Sequence, residues 1–278
     1  MGEKYKKIEI LGKGATAEVY LVKEQATGEQ FAMKCCSNRT LLKKEADFLN
    51  RLQHPMFPYV KEYPVQDKEY LVMEYIEGSN LQELLDRGKA FGLGEICYIM
   101  NELLQGLHYL HMQKPEMVYR DLKPANIIID KRGKLHLIDF GAACYGGVRD
   151  ELVCRAGTYG YAAPEQFWQG IKPDKACDIY AAGKLLAYLL SGKNPAEPPY
   201  DIEQFCKGIK TVPVPFLEII ERCLAVEPLA RYEDCECLRR DIHRAYEATM
   251  SKKHLKNPRK GSYTYKKCIW KSEYRRIF

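Results

Sequence analysis

The sequence lacks the features that mark membrane-spanning, secreted and zinc-binding chains. No run approaches the roughly 20 apolar residues that span a bilayer, and no apolar leader opens the chain. Its 11 cysteines follow no disulfide framework, and Cys235 and Cys237 stand one residue apart without a second pair at zinc-ligand spacing. We therefore expect a cytoplasmic protein with reduced thiols.

Charge is unevenly distributed along the 278 residues. The whole chain has a net charge of +6, and residues 251–278 alone carry +9, from ten Lys or Arg and one Glu. The first 250 residues are therefore mildly acidic, at −3. With 46% apolar residues, the chain can build a buried core, either in one large domain or in two small ones.

The most informative stretch is residues 119–141, in which four polar side chains stand among apolar, strand-like runs. Asp121, Asn126 and Asp139 offer the oxygen ligands that suit Mg²⁺, and Lys123 suits phosphate oxygens. Either aspartate alone would read as an ordinary turn residue beside a buried strand. Both together, with Asn126 five residues after Asp121, predict a site that holds Mg²⁺ against a polyphosphate while an acceptor hydroxyl loses its proton.

This stretch resembles the catalytic loop and the metal-binding loop of the protein kinase family, H-R-D-x-x-x-x-N and D-F-G, with Tyr119 in place of the usual His. The resemblance covers residues 5–245, with the motifs in the family's order. It implies an α+β, two-lobed fold. Residues 1–76 would form an N-lobe with a small antiparallel β-sheet and one main helix, and residues 77–250 a larger, mostly α-helical C-lobe. Residues 251–278 would be a basic, aromatic tail.

Residues 5–34 read as three short strands, and the first two flank a G-x-G-x-x-A loop that contains Gly12 and Gly14. Glycines there let backbone N–H groups approach phosphate oxygens. A strand follows the loop where a dinucleotide-binding fold would have a helix. Lys34 ends a segment that resembles the family's V-A-I-K strand, which implies that it holds the α- and β-phosphates of ATP.

Residues 41–52 have helical apolar periodicity, and Glu45 matches the family's glutamate partner of Lys34. Only eleven positions separate Glu45 from Lys34, fewer than is usual in the family. We therefore expect the helix to be short at its N-terminal end and to lack one regulatory contact to the activation loop.

Residues 70–78 read as a buried strand that runs out into a hinge. The resemblance implies that Met73 is the gatekeeper and that the backbones of Glu74 and Ile76 meet the adenine edge. Apolar contacts would sandwich the ring between Val19 and Ala32 on one side and Ile128 on the other. Ordinary core packing is the alternative for these three residues, and both interpretations can hold.

The resemblance implies transfer of the γ-phosphoryl group of ATP to Ser or Thr hydroxyls of protein substrates. Asp121 would accept or orient the hydroxyl proton, Asn126 and Asp139 would hold Mg²⁺, or Mn²⁺ in its place, and Lys123 would offset phosphate charge. Lys123 two residues after Asp121 is typical of Ser/Thr kinases. Residues 157–165 resemble the docking segment of protein kinases, which small-molecule kinases generally lack, and residues 160–166 resemble bacterial members, here stand-alone and without a membrane span.

The resemblance also implies three structural contacts. Thr158 would form hydrogen bonds near Asp121 and Lys123. Glu165 would pair with Arg231, and Asp178 would anchor the backbone of the catalytic loop.

The segment between Gly141 and Thr158 contains no Ser or Thr. In many kinases a phosphorylated hydroxyl there neutralises the arginine that precedes the catalytic aspartate, here Arg120. We hypothesise that Asp150 or Glu151 pairs with Arg120 and keeps the enzyme active without that phosphate. Phosphorylation of Tyr145 and control by a partner are the alternatives.

Two cysteines, Cys144 and Cys154, flank the same segment. A redox switch between them is one interpretation. Buried or idle thiols are the interpretation that we favour.

Other functions and partners stay open at this stage. An ATP-binding pseudokinase scaffold normally loses the lysine, the base or the metal aspartate, and this chain keeps all three. The tail has an apolar stripe with basic residues around it, formed by Trp270, Tyr274, Ile277 and Phe278. It could stay solvated or dock onto the kinase body, a partner protein or an anionic membrane surface, whereas nucleic acid is a less favoured ligand.

Overall fold

The computed structural model of the chain describes residues 4–14, 17–64, 70–148, 157–168, 172–197 and 212–256. Its strands are β1 (Tyr5–Lys13), β2 (Ala17–Glu24), β3 (Gln30–Cys36), β4 (Val60–Glu62), β5 (Tyr70–Glu74), β6 (Gly78–Asn80), β7 (Met117–Val118), β8 (Ile127–Asp130), β9 (Leu135–Leu137) and β10 (Cys144–Tyr145). Its α-helices are α1 (Arg39–Asn50), α2 (Leu81–Asp86), α3 (Leu93–His111), α4 (Ala176–Ser191), α5 (Val214–Cys223) and α6 (Cys235–Lys256).

The first five strands form one antiparallel sheet in the order β1-β2-β3-β5-β4. The three strands predicted within residues 5–34 are confirmed, and β3 lies at the centre of the sheet. Ala32 of β3 pairs with Leu21 of β2 and with Met73 of β5, and Lys34 pairs with Val19 and Leu71. The sheet register therefore brings the predicted adenine-contacting residues and the predicted phosphate-binding lysine onto neighbouring positions.

Helix α1 follows β3 after two residues, Ser37 and Asn38. It has 12 residues and begins at Arg39, because the side chain of Asn38 accepts a hydrogen bond from the backbone N–H of Leu41 and caps the helix. It ends at Asn50, two residues before the predicted end. Its buried face, which packs under the sheet, consists of Leu42, Glu45, Ala46, Phe48 and Leu49. Glu45 is the charged member of an otherwise apolar face, so its burial requires a partner.

The other five α-helices of the described residues all follow the five-stranded sheet in the chain. Helix α4 is buried along residues 176–189 and packs against α3 and α5, so apolar residues occur all around it. Helix α3 packs against α6. Gly106 of α3 allows a close approach, since a Cβ atom at this position would lie 2.1 Å from the sulfur of Met56.

Two small antiparallel elements join these helices to the five-stranded sheet. Strands β6, β8 and β9 form a three-stranded sheet, and β7 pairs with β10. Gly78 is required where β6 meets β8, because a Cβ atom there would lie 2.2 Å from the carbonyl oxygen of Ile129. The segment after β7 carries Asp121, Lys123 and Asn126, and the turn after β9 carries Asp139.

The fold is α+β, with a small antiparallel sheet and one main helix followed by a larger, mostly helical part, as the sequence predicts. The predicted boundary between residues 76 and 77 falls between β5 and β6. Every helix within the described residues is too short or too polar to cross a lipid bilayer. Asp150, Glu151, Cys154 and the aromatic residues of the tail lie outside the described residues.

Candidate active site

The loop that carries Asp121 is fixed by a buried carboxylate on α4. Asp178 is fully buried and accepts hydrogen bonds from the backbone N–H groups of Tyr119, at 2.9 Å, and Arg120, at 2.7 Å. The ring of His111 lies 2.9 Å from the same carboxylate. Arg120 has a φ of 70°, a left-handed conformation that a non-glycine residue adopts only where its surroundings hold it. The predicted anchoring of this loop by Asp178 is confirmed.

Three side chains orient the carboxylate of Asp121. Asn126 donates to its Oδ2 at 3.0 Å and to its backbone carbonyl at 2.9 Å. The ammonium of Lys123 lies 2.8 Å from Oδ2, and the hydroxyl of Thr158 donates to Oδ1 at 2.7 Å. Lys123 also donates to Thr158 at 2.8 Å, so the predicted contacts of Thr158 with Asp121 and Lys123 are confirmed. The base candidate is thus held in one orientation before a substrate arrives.

A second polar centre surrounds Lys34. Its ammonium lies 2.6 Å from Oε2 of Glu45 and 2.7 Å from Oδ1 of Asp139. Glu45 also accepts from the backbone N–H of Phe140 at 3.1 Å. Burial alone would lower the pKa of Lys34, but the two carboxylates raise it above its ordinary value. Lys34 is therefore a permanent cation beside the predicted metal ligand.

Asp139 stays ionised for the converse reason. Burial alone would raise its pKa, but the charge and the hydrogen bond of Lys34, with a bond from the backbone N–H of Gly141, lower it below its ordinary value. Its φ of 63° again lies in the left-handed region. Its side chain is 45% exposed, so it can meet a cation from the open side while Lys34 holds it from the other.

The donor set fits Mg²⁺. The backbone carbonyl of Asn126 accepts from the N–H of Ile138, at 3.0 Å, which brings the Asn126 turn against the residue that precedes Asp139. The amide nitrogen of Asn126 is committed to Asp121, so its amide oxygen is the atom left for a metal. Mg²⁺ usually binds only one or two protein ligands in addition to phosphates and water, and a carboxylate with an amide oxygen matches this pattern.

Tyr119 replaces the usual His of the motif without leaving a gap. Its ring is buried and meets Phe140 edge to face, with centroids 5.2 Å apart. Its hydroxyl donates to the carbonyl of Ile138. Phe140 is in turn packed at 5.5 Å against Phe57. The sequence marked Tyr119 as a departure, but it gave no sign that its hydroxyl would bond to the loop that carries Asp139.

The predicted nucleotide-contacting residues lie on the five-stranded sheet, in the glycine loop after β1, in the segment after β5 and on β8. Gly12 of β1 pairs with Val19 of β2, and the backbone N–H of Gly14 donates to the carbonyl of Ala17 at 2.8 Å. Val19 and Ile128 are half-buried, whereas Ala32, Met73 and Ile76 are buried. The backbone N–H of Glu74 is bonded to the carbonyl of Tyr59 at 2.9 Å. Of these two residues, Ile76 would therefore have to supply the backbone N–H that donates to adenine. The adenine contacts stay a prediction.

A buried ion pair supports the segment after Thr158. Arg231 forms a bidentate pair with Glu165, with N–O distances of 2.5 and 2.8 Å, and also donates to the carbonyl of Ala176 at 3.0 Å. This predicted pair is confirmed. Gln166, which the sequence analysis missed, donates to the carbonyl of Arg120 at 3.0 Å and so ties this segment to the Asp121 loop.

The comparisons with known proteins agree with this geometry. A protein kinase domain matches residues 5–242, so the chain belongs to the protein kinase family. It is 35% identical to serine/threonine-protein kinase B of Synechocystis over 71% of this chain, and 28% identical to serine/threonine-protein kinase PrkC of Bacillus subtilis over 88% of it. It is also 29% identical to human beta-adrenergic receptor kinase 1 over 67% of this chain. The chain spans between 28% and 41% of the length of these relatives.

Proposed function

We propose that this protein is a serine/threonine protein kinase that transfers the γ-phosphoryl group of ATP to hydroxyls of protein substrates. The observation that carries the proposal is the oriented carboxylate of Asp121, bonded to Lys123, Asn126 and Thr158. The Lys34 and Asp139 pair beside it supports a bound polyphosphate. Serine/threonine kinases among the relatives support the choice of acceptor.

In the proposed reaction Asp121 orients the acceptor hydroxyl and takes its proton as the oxygen attacks the γ-phosphorus. The bond between the γ-phosphorus and the oxygen that bridges it to the β-phosphorus breaks, and ADP leaves with that oxygen. Lys123, held 2.8 Å from Asp121, lies beside the hydroxyl and offsets charge on the transferred group. Lys34 contacts the α- and β-phosphates and is kept in place by Glu45. Asn126 and Asp139 would hold Mg²⁺, which when bound neutralises charge on the phosphates.

We also propose that this chemistry needs no phosphate on the segment between residues 141 and 158. The segment has no Ser or Thr to modify, and the Lys34–Glu45 pair that positions the lysine is formed. The acids that we expect to pair with Arg120 lie outside the described residues, as does the tail that would meet a membrane surface or a partner protein.

The experiment is steady-state phosphorylation of a mixed Ser/Thr peptide library with Mg-ATP, together with nucleotide binding. Asp121→Asn should lower kcat by about 100-fold or more while ATP binding is kept, because only the acceptor side is changed. Asp86→Asn is the matched control, since Asp86 is an exposed carboxylate on α2 bonded to Gln82. An Asp121→Asn variant with unchanged kcat, or wild-type protein that binds ATP without transfer, would overturn the proposal.

A further inference from the structure

We propose that Tyr145 is a positioning residue that holds α1 against the base of the catalytic loop and so keeps Glu45 on Lys34. The inference rests on the proposed phosphotransfer and adds a residue to it. Tyr145 lies in β10, four residues after Gly141, which ends the metal-binding loop. Its side chain points across to the C-terminal half of α1, where it contacts two residues.

The contact with α1 has an apolar part and a polar part. The rings of Tyr145 and Phe48 are 4.7 Å apart between centroids and tilted by 46°. The guanidinium of Arg51 lies 5.7 Å from the centre of the Tyr145 ring and donates to its hydroxyl at 3.2 Å. Arg51 also donates to the carbonyl of Lys114 at 3.3 Å. The ring of Tyr145 is thus held between a buried aromatic residue and a cation at the end of the helix.

The other side of Tyr145 is tied to the catalytic loop through its backbone. It pairs with Met117 of β7, and the next residue, Gly146, donates its N–H to the carbonyl of Glu116 at 3.0 Å. Strand β7 ends at Val118 and runs directly into Tyr119 and the Asp121 loop. Tyr145 therefore stands on the strand that pairs with the entry to the catalytic loop.

The face of α1 that meets Tyr145 is the face that carries the ion pair. Phe48 follows Glu45 by three positions, so the two side chains lie on one side of the helix, one turn apart. Both are almost fully buried. A shift of Phe48 toward the space left by a smaller residue at position 145 would move Glu45 with it, because both side chains belong to the same 12-residue helix and lie one turn apart.

The contact between Tyr145 and α1 supplies support that a phosphorylated Ser or Thr of the segment cannot give here. Residues 142–157 have no Ser or Thr that could carry a phosphate, and α1 begins only at Arg39, so its N-terminal end is short. Contacts between the segment after Asp139 and α1 include those of Phe140 with Glu45 and of Tyr145 with Phe48, and Tyr145 also meets Arg51 at the end of the helix. Tyr145 thus contributes mainly packing at a place where a phosphorylated residue would contribute charge.

The test is a double-mutant cycle between Tyr145→Ala and Glu45→Gln on the full chain, read as kcat/KM for ATP and as affinity for a fluorescent ATP analogue with Mg²⁺. Tyr145→Ala in the wild-type background should lower kcat/KM about tenfold. In the Glu45→Gln background the same substitution should lower kcat/KM by less than about twofold, because the effects of coupled residues are not additive. Tyr145→Phe keeps the ring on Phe48 and should stay within about threefold of wild type. Tyr246→Ala removes a half-buried tyrosine on α6 and should leave both readouts unchanged.

Two results would overturn the inference. One is wild-type kcat/KM in Tyr145→Ala, and the other is the same fold loss with and without Glu45→Gln, which would indicate a general loss of stability. If Tyr145→Ala does not fold, Tyr145→Leu in the same cycle gives the answer. Wild-type protein without phosphotransfer would contradict the proposed function instead, and the ATP-analogue cycle would still decide the coupling of Tyr145 to Glu45.

Discussion

Glu45 and Lys34 form a buried ion pair at 2.6 Å between helix α1 and the central strand β3 of the sheet. The side chain of Glu45 is 2% exposed and that of Lys34 is 9% exposed. Lys34 has a second carboxylate partner in Asp139, at 2.7 Å. The position of helix α1 therefore decides whether Lys34 contacts Glu45 as well as Asp139, the predicted metal ligand.

Glu45→Gln should lower kcat/KM for ATP by about tenfold or more, because Lys34 keeps only Asp139 as a charged partner and leaves its phosphate-binding position. Steady-state kinetics with varied ATP measures the effect. Glu77→Gln is the matched control, since Glu77 pairs with Lys131 at 2.5 Å on the surface, and it should change stability by less than about 1 kcal/mol and leave kcat/KM unchanged. Equal kinetics for the two variants would contradict this role of Glu45.

Glu165→Gln should destabilise the protein by about 3–5 kcal/mol, because it leaves the buried charge of Arg231 without its carboxylate. The measurement is urea-induced unfolding followed by fluorescence. Glu236→Gln tests a half-exposed counterpart, in which Glu236 pairs with Arg239 at 2.6 Å, and it should cost less than about 1 kcal/mol. A similar loss in both variants would show that burial does not set the cost.

Gly106→Ala should destabilise the protein by about 1–3 kcal/mol even though alanine favours helix, because the new Cβ atom meets the sulfur of Met56. In a Met56→Ala background the same change should cost nothing further. Gly92→Ala at the start of α3 is the control, because its Cβ atom would have an ordinary contact at 3.4 Å. Thermal unfolding of the wild-type protein and the four variants measures the effect, and an additive cost in the double variant would refute the clash.

Cys144 should resist alkylation in the folded protein. It is fully buried, and burial raises the pKa of its thiol to about 11, so at pH 8 only about one thiol in a thousand is the reactive thiolate. Peptide mass spectrometry after iodoacetamide treatment should find Cys144 labelled only in denaturant, which favours an idle thiol over a redox switch. Rapid labelling of Cys144 in the native protein would point to the opposite conclusion.

The sequence predicted those parts of the site that depend on residue type and spacing along the chain. Asp121 with Asn126, and Asp139 before a Phe-Gly pair, are short patterns that need no knowledge of packing. The contact of Gln166 with the carbonyl of Arg120 joins residues 46 positions apart, and the contact of Arg51 with Tyr145 joins residues 94 apart. Such contacts are set by how β7, β10 and α1 meet, which no local pattern specifies.

The helix boundaries show the same division. The apolar period predicted a helix within residues 41–52, whereas α1 starts at Arg39 because Asn38 supplies a cap, and it stops at Asn50. The short helix was predicted from a count of residues between Lys34 and Glu45. That the helix brings Glu45 to Lys34 depends on the burial of Phe48 and Leu49 on the same face, which only the structure supplies.

The most direct test is transfer of labelled γ-phosphate from Mg-ATP by purified, phosphatase-treated protein to itself and to a generic Ser/Thr substrate, beside Asp121→Asn. The account predicts phosphoserine or phosphothreonine formed by the wild-type protein with no prior loop phosphorylation, and none formed by the variant. Nucleotide binding without transfer by the wild-type protein, or equal transfer by both proteins, would contradict it.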